Sequence, residues 1–248
     1  MINTSPDFAH KLIVALDFNN RDTAVTLAKE LSPLGVKFKI GLELYLATQG
    51  RIIEDLEFAD LFLDLKFHDI PNTVQQACKT VLYPNVKILN LHASGGSAMM
   101  MAACAALTQE ASKQGLTKPK LIAVTVLTSL DDSILHNDFN LNCTANELVK
   151  HLSKLAQTSG LDGVVASANE AKQIKEICGQ DFLVITPGIR LENTQTNDQK
   201  RILTPYAAIT AGSDYLVVGR NITQSVNKIE TTKIIIHEIT KALTSITQ

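Results

Sequence analysis

Short apolar runs alternate with longer amphipathic stretches along the whole chain, and the alternation repeats eight times. Apolar runs at residues 11–17, 36–40, 60–66, 87–92, 120–126, 163–166, 182–186 and 214–218 have strand length. Helix-period patterns follow at 21–31, 41–57, 71–82, after the 93–96 turn, at 144–159, 169–177, 206–211 and from 228 onward. Pro33 and Gly35 end the first of these, and Pro71 sits where a helix begins. Strands alternating with helices imply a parallel sheet, and eight such units in one chain fit a single closed (β/α)8 TIM barrel, a fold of class α/β. An open doubly wound sheet would carry a Gly-rich turn after the first strand. Here that position holds Asp17-Phe18-Asn19-Asn20, so the barrel is the expected fold. No linker or low-complexity break divides residues 1–248, which are read as one domain with 1–10 as an N-terminal extension.

Within the third run the side chains alternate. Leu61, Leu63 and Leu65 take one face; Phe62, Asp64 and Lys66 take the other. A carboxylate and an ammonium thus share one face of a strand hydrophobic enough to be buried, which is costly unless they are paired or used. Lys37 and Lys39 likewise share a face opposite Val36, Phe38 and Ile40. Barrel enzymes place function at the C-terminal ends of strands. Asp17, Lys39, Asp64, Lys66 and His92 lie at or near such ends, and Thr128, Ser129, Arg190, Gly219 and Arg220 follow them.

Composition narrows the range of partners. The chain has 248 residues, 45% of them hydrophobic, and a net charge of −2, so it has no basic field for nucleic acid. No apolar run is long enough to span a bilayer, and residues 1–10 are too polar for a signal peptide. Cys78, Cys104, Cys143 and Cys178 form no C-x-x-C pair, and the first two and the last lie in helical patterns as small buried thiols. A cytoplasmic protein without disulfide framework or zinc site is expected.

If the barrel joins strands two and three, Lys39, Asp64, Lys66 and Asp69 form an alternating set of charges. Such a set holds a buried ammonium where a proton must be delivered. No serine or cysteine nucleophile accompanies it, and no His/carboxylate metal cluster; His68 and His92 are separated and read as structural. A Schiff base on Lys66 is the alternative, disfavoured because paired carboxylates keep the amine protonated. The loops after strands seven and eight, with Arg190, Gly219 and Arg220, occupy the place where barrels hold a phosphate. Gly219 admits close backbone approach and Arg220 offers a forked donor, so the ligand is expected to be a phosphomonoester.

Taken together, Leu63-Asp-Leu-Lys-Phe-His-Asp-Ile-Pro-Asn-Thr73, Ala15-Leu-Asp17, Phe38-Lys-Ile-Gly41, His92-Ala-Ser-Gly-Gly96, Val124-Thr-Val-Leu-Thr-Ser129, Thr186-Pro-Gly-Ile-Arg190, Asp198-Gln-Lys-Arg201 and Val218-Gly-Arg220 resemble the orotidine 5′-phosphate decarboxylase family, its compact bacterial branch most closely. The resemblance runs from about residue 11 to 225. It implies a cofactor-independent, metal-free decarboxylation of orotidine 5′-monophosphate to uridine 5′-monophosphate, the last step of pyrimidine biosynthesis. It implies Lys66 as proton donor to C6, Asp64 beside the departing carboxylate, and Lys39 bridging the aspartates and the ribose. Asp17 matches a ribose ligand, Thr128 and Ser129 the pyrimidine side, and Arg190, Gln199, Gly219 and Arg220 the phosphate grip. Asp69, Ile70 and Thr73 match the segment that reaches the partner's site in a homodimer. Rival readings are a magnesium-dependent phosphosugar barrel, such as a hexulose-phosphate synthase or keto-gulonate phosphate decarboxylase, and a non-catalytic nucleotide sensor.

Overall fold

A computed structural model describes residues 6–191 and 203–246. Eight parallel strands close on themselves in sequence order, β1 pairing with both β2 and β8. They are β1 Leu12–Ala15, β2 Lys37–Gly41, β3 Leu61–Phe67, β4 Val86–His92, β5 Lys120–Val124, β6 Gly163–Val165, β7 Leu183–Thr186 and β8 Tyr215–Val218. The helices are α1 Arg21–Leu31, α2 Leu42–Ala47, α3 Ile52–Asp55, α4 Pro71–Thr80, α5 Gly96–Gln114, α6 Asp132–Asn137, α7 Ala145–Thr158, α8 Ala168–Cys178, α9 Pro205–Thr210, α10 Arg220–Thr223 and α11 Lys228–Ile246. The fold is a single (β/α)8 barrel. Among the described residues no helix is long and apolar enough to cross a membrane.

Strand parity sorts the core into two layers. Outward-facing Leu12, Val14, Phe38, Ile40, Leu61, Leu63 and Leu65 pack under the helices. Inward-facing Ile13, Ala15, Phe62, Ile88, Ile122, Ile185 and Val217 form a separate apolar plug inside the barrel. That plug is the floor of the C-terminal mouth, and polar residues two positions further along the strands stand on it: Asp17 beyond Ala15, Asp64 beyond Phe62 and Asn90 beyond Ile88.

Local chemistry places the helices. Asn20 caps α1 by accepting from the Thr23 N–H, and Pro71 occupies the first turn of α4, where its missing N–H costs nothing. Thr144 and Glu147 form a reciprocal capping box at the start of α7. The helix expected over 41–57 is instead two helices. The backbone turns left-handed at Gln49 and Gly50 (φ 52° and 79°), which ends α2, and α3 restarts beyond it. A further helix absent from the sequence reading, α6, lies in the β5 connection and is capped by Asp131. Cys78 and Cys178 are buried, and burial pushes the Cys78 thiol up to about 12, so it is inert packing.

Candidate active site

The centre is built where β2, β3 and β4 meet at the C-terminal mouth. Lys39 and Asp64 come from adjacent strands, since Ile40 pairs with Leu63 and Gly41 with Asp64. Lys39 Nζ donates to Asp17 Oδ1 at 2.8 Å and lies 3.2 Å from Asp64 Oδ2. Lys66 Nζ donates to Asp64 Oδ1 at 2.6 Å. A side chain at Gly41 would place its Cβ 3.2 Å from Lys39 Nζ and 3.3 Å from Asp17 Oδ1, so glycine leaves room for this contact.

Charge pairing outweighs burial here. Burial opposes the charged form of Lys39, yet the carboxylates of Asp64 and Asp17 hold its ammonium above the usual lysine value. Burial likewise opposes the Asp64 carboxylate, but Lys39, Lys66 and the Asn90 amide hold it below the usual range. Both groups are therefore ionised at neutral pH. His92, whose ring centroid lies 5.3 Å from that of His68, is kept below its ordinary value by burial, then by His68 and Lys66. It stays neutral beside Lys66.

The third strand is irregular at this point. Leu63 pairs with Leu89 and Phe67 with Leu91, so β3 uses four steps where β4 uses two. The extra residues arch into the mouth, and Lys66 takes a left-handed backbone with φ 51°. Asn90 of β4 faces this arch. Its Nδ2 donates to Asp64 Oδ1 at 2.6 Å, and its Oδ1 accepts from the Lys66 backbone N–H at 2.8 Å. The sequence reading passed over Asn90. The available signal was an amide on the inward parity of β4, shared with Ile88 and His92.

Above the charges opens a cavity of about 190 Å³ lined by Lys39, Phe62, Asp64, Lys66, Val124, Val126, Leu127, Thr128, Val165, Ala166, Pro187 and Val217. One wall is therefore charged and the rest almost wholly apolar, a form suited to a flat ring with one reactive edge. Thr128 lines it, as the sequence suggested; Ser129 lies next along the chain, exposed, outside this lining. Gly219 follows β8 beside β1, where an added Cβ would lie 3.6 Å from Asp17 Oδ2. Arg220 opens α10 and is exposed. Arg190 donates its backbone N–H to Leu203 O beside the Ile189–Leu203 bridge. Gln199, like the rest of residues 192–202, lies outside the described residues.

One expected member is missing from the cluster. Asp69 makes no ion pair among the described residues, and its carboxylate accepts from the Ile70 N–H at 2.6 Å. The fourth charged member within this chain is Asp17 instead. Geometry explains the difference: β3 ends at Phe67, and the chain then turns outward to Pro71, carrying Asp69, Ile70 and Thr73 to the surface. Ile70 is 67% exposed, unusual for its type. Among the described residues no group of three or more His, Cys, Asp or Glu is placed to hold a metal ion.

Comparison with known proteins agrees in fold and extent. The model of the Orotidine 5′-phosphate decarboxylase / HUMPS family matches residues 10–235. The orotidine 5′-phosphate decarboxylase of Legionella pneumophila strain Corby is 46% identical over 236 residues, covering 94% of this chain and 97% of the relative. That of strain Lens is 45% identical over 232 residues, covering 92% and 99%. The crystal structure of orotidine 5′-phosphate decarboxylase from Lactobacillus acidophilus superposes with a TM-score of 0.78 at 36% identity, covering 93% of this chain and 99% of that one. An uncharacterized conserved protein from Geobacillus kaustophilus gives a TM-score of 0.80 at 38% identity, covering 92% and 99%.

Proposed function

The chain belongs to the Orotidine 5′-phosphate decarboxylase / HUMPS family, and from that premise we propose that it converts orotidine 5′-phosphate to uridine 5′-phosphate without a cofactor. The observation that carries this reading is the Lys39–Asp64–Lys66 chain of charges on one wall of an otherwise apolar cavity. Breaking the bond from C6 to the carboxylate releases carbon dioxide and leaves an electron pair on C6, in the plane of the ring. A fixed ammonium aimed at that carbon stabilises the charge as it forms and then donates the proton. Lys66 fills this role. It commits one N–H to Asp64, and its side chain, 37% exposed, regains a proton from solvent after each cycle.

Asp64, held as a carboxylate, fixes Lys66 and lies against the substrate's departing carboxylate. Lys39 fixes Asp64 and, with Asp17, meets the ribose. Thr128 and Ser129 serve the pyrimidine side. Arg190, Gln199, Gly219 and Arg220 grip the phosphate, whose binding energy is expressed partly in turnover. Asp69, Ile70 and Thr73 reach the site of a second copy, so the working enzyme is a homodimer with two shared sites. The exposure of Ile70, and an Asp69 carboxylate that makes no ion pair among the described residues, support this assignment.

The test is the ultraviolet absorbance change of orotidine 5′-phosphate mixed with the protein, with and without EDTA. Rapid EDTA-insensitive conversion that is lost in Lys66→Ala is expected. Chelator-sensitive turnover of a phosphosugar, with no conversion of orotidine 5′-phosphate, would overturn the proposal. For the dimer, an inactive Lys66→Ala sample is mixed with inactive Asp69→Ala. Activity returns on mixing if each site draws on both copies, and stays absent if it does not.

A further inference from the structure

We infer that Asn90 is a positioning residue for the decarboxylation, holding Asp64 and the backbone of Lys66 in one fixed arrangement from beneath the site. The inference rests on the functional reading above, but its geometry stands alone. Asn90 is fully buried, at 0% exposure, and is absent from the cavity lining. It therefore acts through its neighbours and touches no substrate.

The two hydrogen bonds of Asn90 fix its orientation. Turning the amide over would set its oxygen against the Asp64 carboxylate and its NH₂ against the Lys66 N–H, losing both bonds. Aspartate would satisfy the N–H but repel Asp64; leucine has the shape but would leave both groups unpaired. Serine is too short to span them.

Its position explains the arch in β3. A left-handed backbone at a lysine is costly, and the arch removes the Lys66 N–H from the regular ladder. Asn90 takes that N–H in place of a strand carbonyl, so the ladder is closed by a side chain. The same amide holds the Asp64 oxygen that receives Lys66 Nζ. One side chain thus fixes both ends of the lysine that delivers the proton: its backbone and the carboxylate that aims its tip.

The test uses purified full-length protein carrying Asn90→Leu or Asn90→Asp. Steady-state turnover of orotidine 5′-phosphate is measured beside hydrogen exchange of the Lys66 amide. Asn90→Leu is expected to lower kcat by about 10- to 100-fold with KM near normal, the cost of a small misplacement, and to speed exchange of the Lys66 amide. Asn90→Asp keeps the acceptor, so that amide stays protected while kcat falls. Its kcat then recovers as pH drops, because a protonated Asp side chain donates to Asp64 again. A role in stability alone would leave kcat per folded site and the pH profile as in wild type, and that result overturns the inference. Should Asn90→Leu not fold, the pH profile and amide protection of Asn90→Asp decide the matter. Absence of wild-type turnover would refute the functional reading, while the exchange data would still decide whether Asn90 holds the Lys66 backbone.

Discussion

At the N-terminal pole of the barrel Lys37 pairs with Asp60, Lys118 and Lys120 share Asp162, and Lys175 meets Asp214; at the C-terminal pole Lys39 and Lys66 share Asp64. The residue types are the same, but the hydrogen bonding is not. Lys175 directs its three N–H groups to Asp214, Gln180 O and Phe182 O, which saturates it. Asp162 and Asp214 also accept from the backbone N–H groups of Leu121 and Val184, tying the starts of β5 and β7. Those carboxylates close strand ends. At the other pole, among the described residues, Asp64 accepts from no backbone N–H, and Lys66, which lines the cavity, spends one of its three Nζ donors, on Asp64. A saturated pair serves the fold; an unsaturated one is held ready for a ligand.

The contrast can be broken most sharply at Lys66. On the proposed mechanism Lys66→Ala removes both the electrostatic donor and the proton source, so kcat is expected to fall by more than about 10³-fold, read in the absorbance assay. The variant should melt close to wild type. Asp214→Ala does the opposite. It leaves the buried Lys175 without its counter-charge and the Val184 N–H without a partner, at about 3–5 kcal/mol. Calorimetry should show a clear drop in melting temperature, with kcat per folded molecule unchanged. If Arg220 grips the phosphate as proposed, Arg220→Ala lowers kcat/KM by about 10- to 100-fold. The smallest effect is expected at Lys120, an exposed partner of Asp162, where alanine costs under about 1 kcal/mol.

Acid sharpens the same comparison. Asp162 loses solvation on burial, but the Leu121 N–H and the two lysines more than offset this and hold its folded value below the usual range. Such a group contributes stability above the unfolded carboxylate value and loses it as pH falls through the folded value. Asp162→Asn should therefore melt lower than wild type at neutral pH. The two melting curves should converge below about pH 4, as thermal scans across pH would show.

Much of the site was legible because strand parity is strict. The alternation in residues 61–66 put Asp64 and Lys66 on the inner face, and that in 36–40 put Lys39 beside them. Eight strand–helix units then sufficed for the barrel. What escaped depends on non-local register. Asn90 matters only because β3 arches opposite it, and no pattern within β4 reports that. The place of Asp69 outside its own chain's cluster follows from where β3 ends, not from its spacing to Lys66. The break between α2 and α3 falls at Gln49 and Gly50, where an apolar periodicity continuing on both sides masks the turn. The N-terminal pairs were invisible for the same reason as Asn90: Asp60, Asp162 and Asp214 meet lysines 23, 42 or 44, and 39 residues away in sequence.

The most direct measurement compares Lys66→Met with Lys175→Met, recording turnover per folded molecule and melting temperature on the same samples. The account predicts a crossing. Lys66→Met loses turnover and keeps its melting temperature, while Lys175→Met keeps turnover and melts well below wild type. Parallel losses of both quantities in both variants would contradict the division of the barrel into a pole that folds and a pole that reacts.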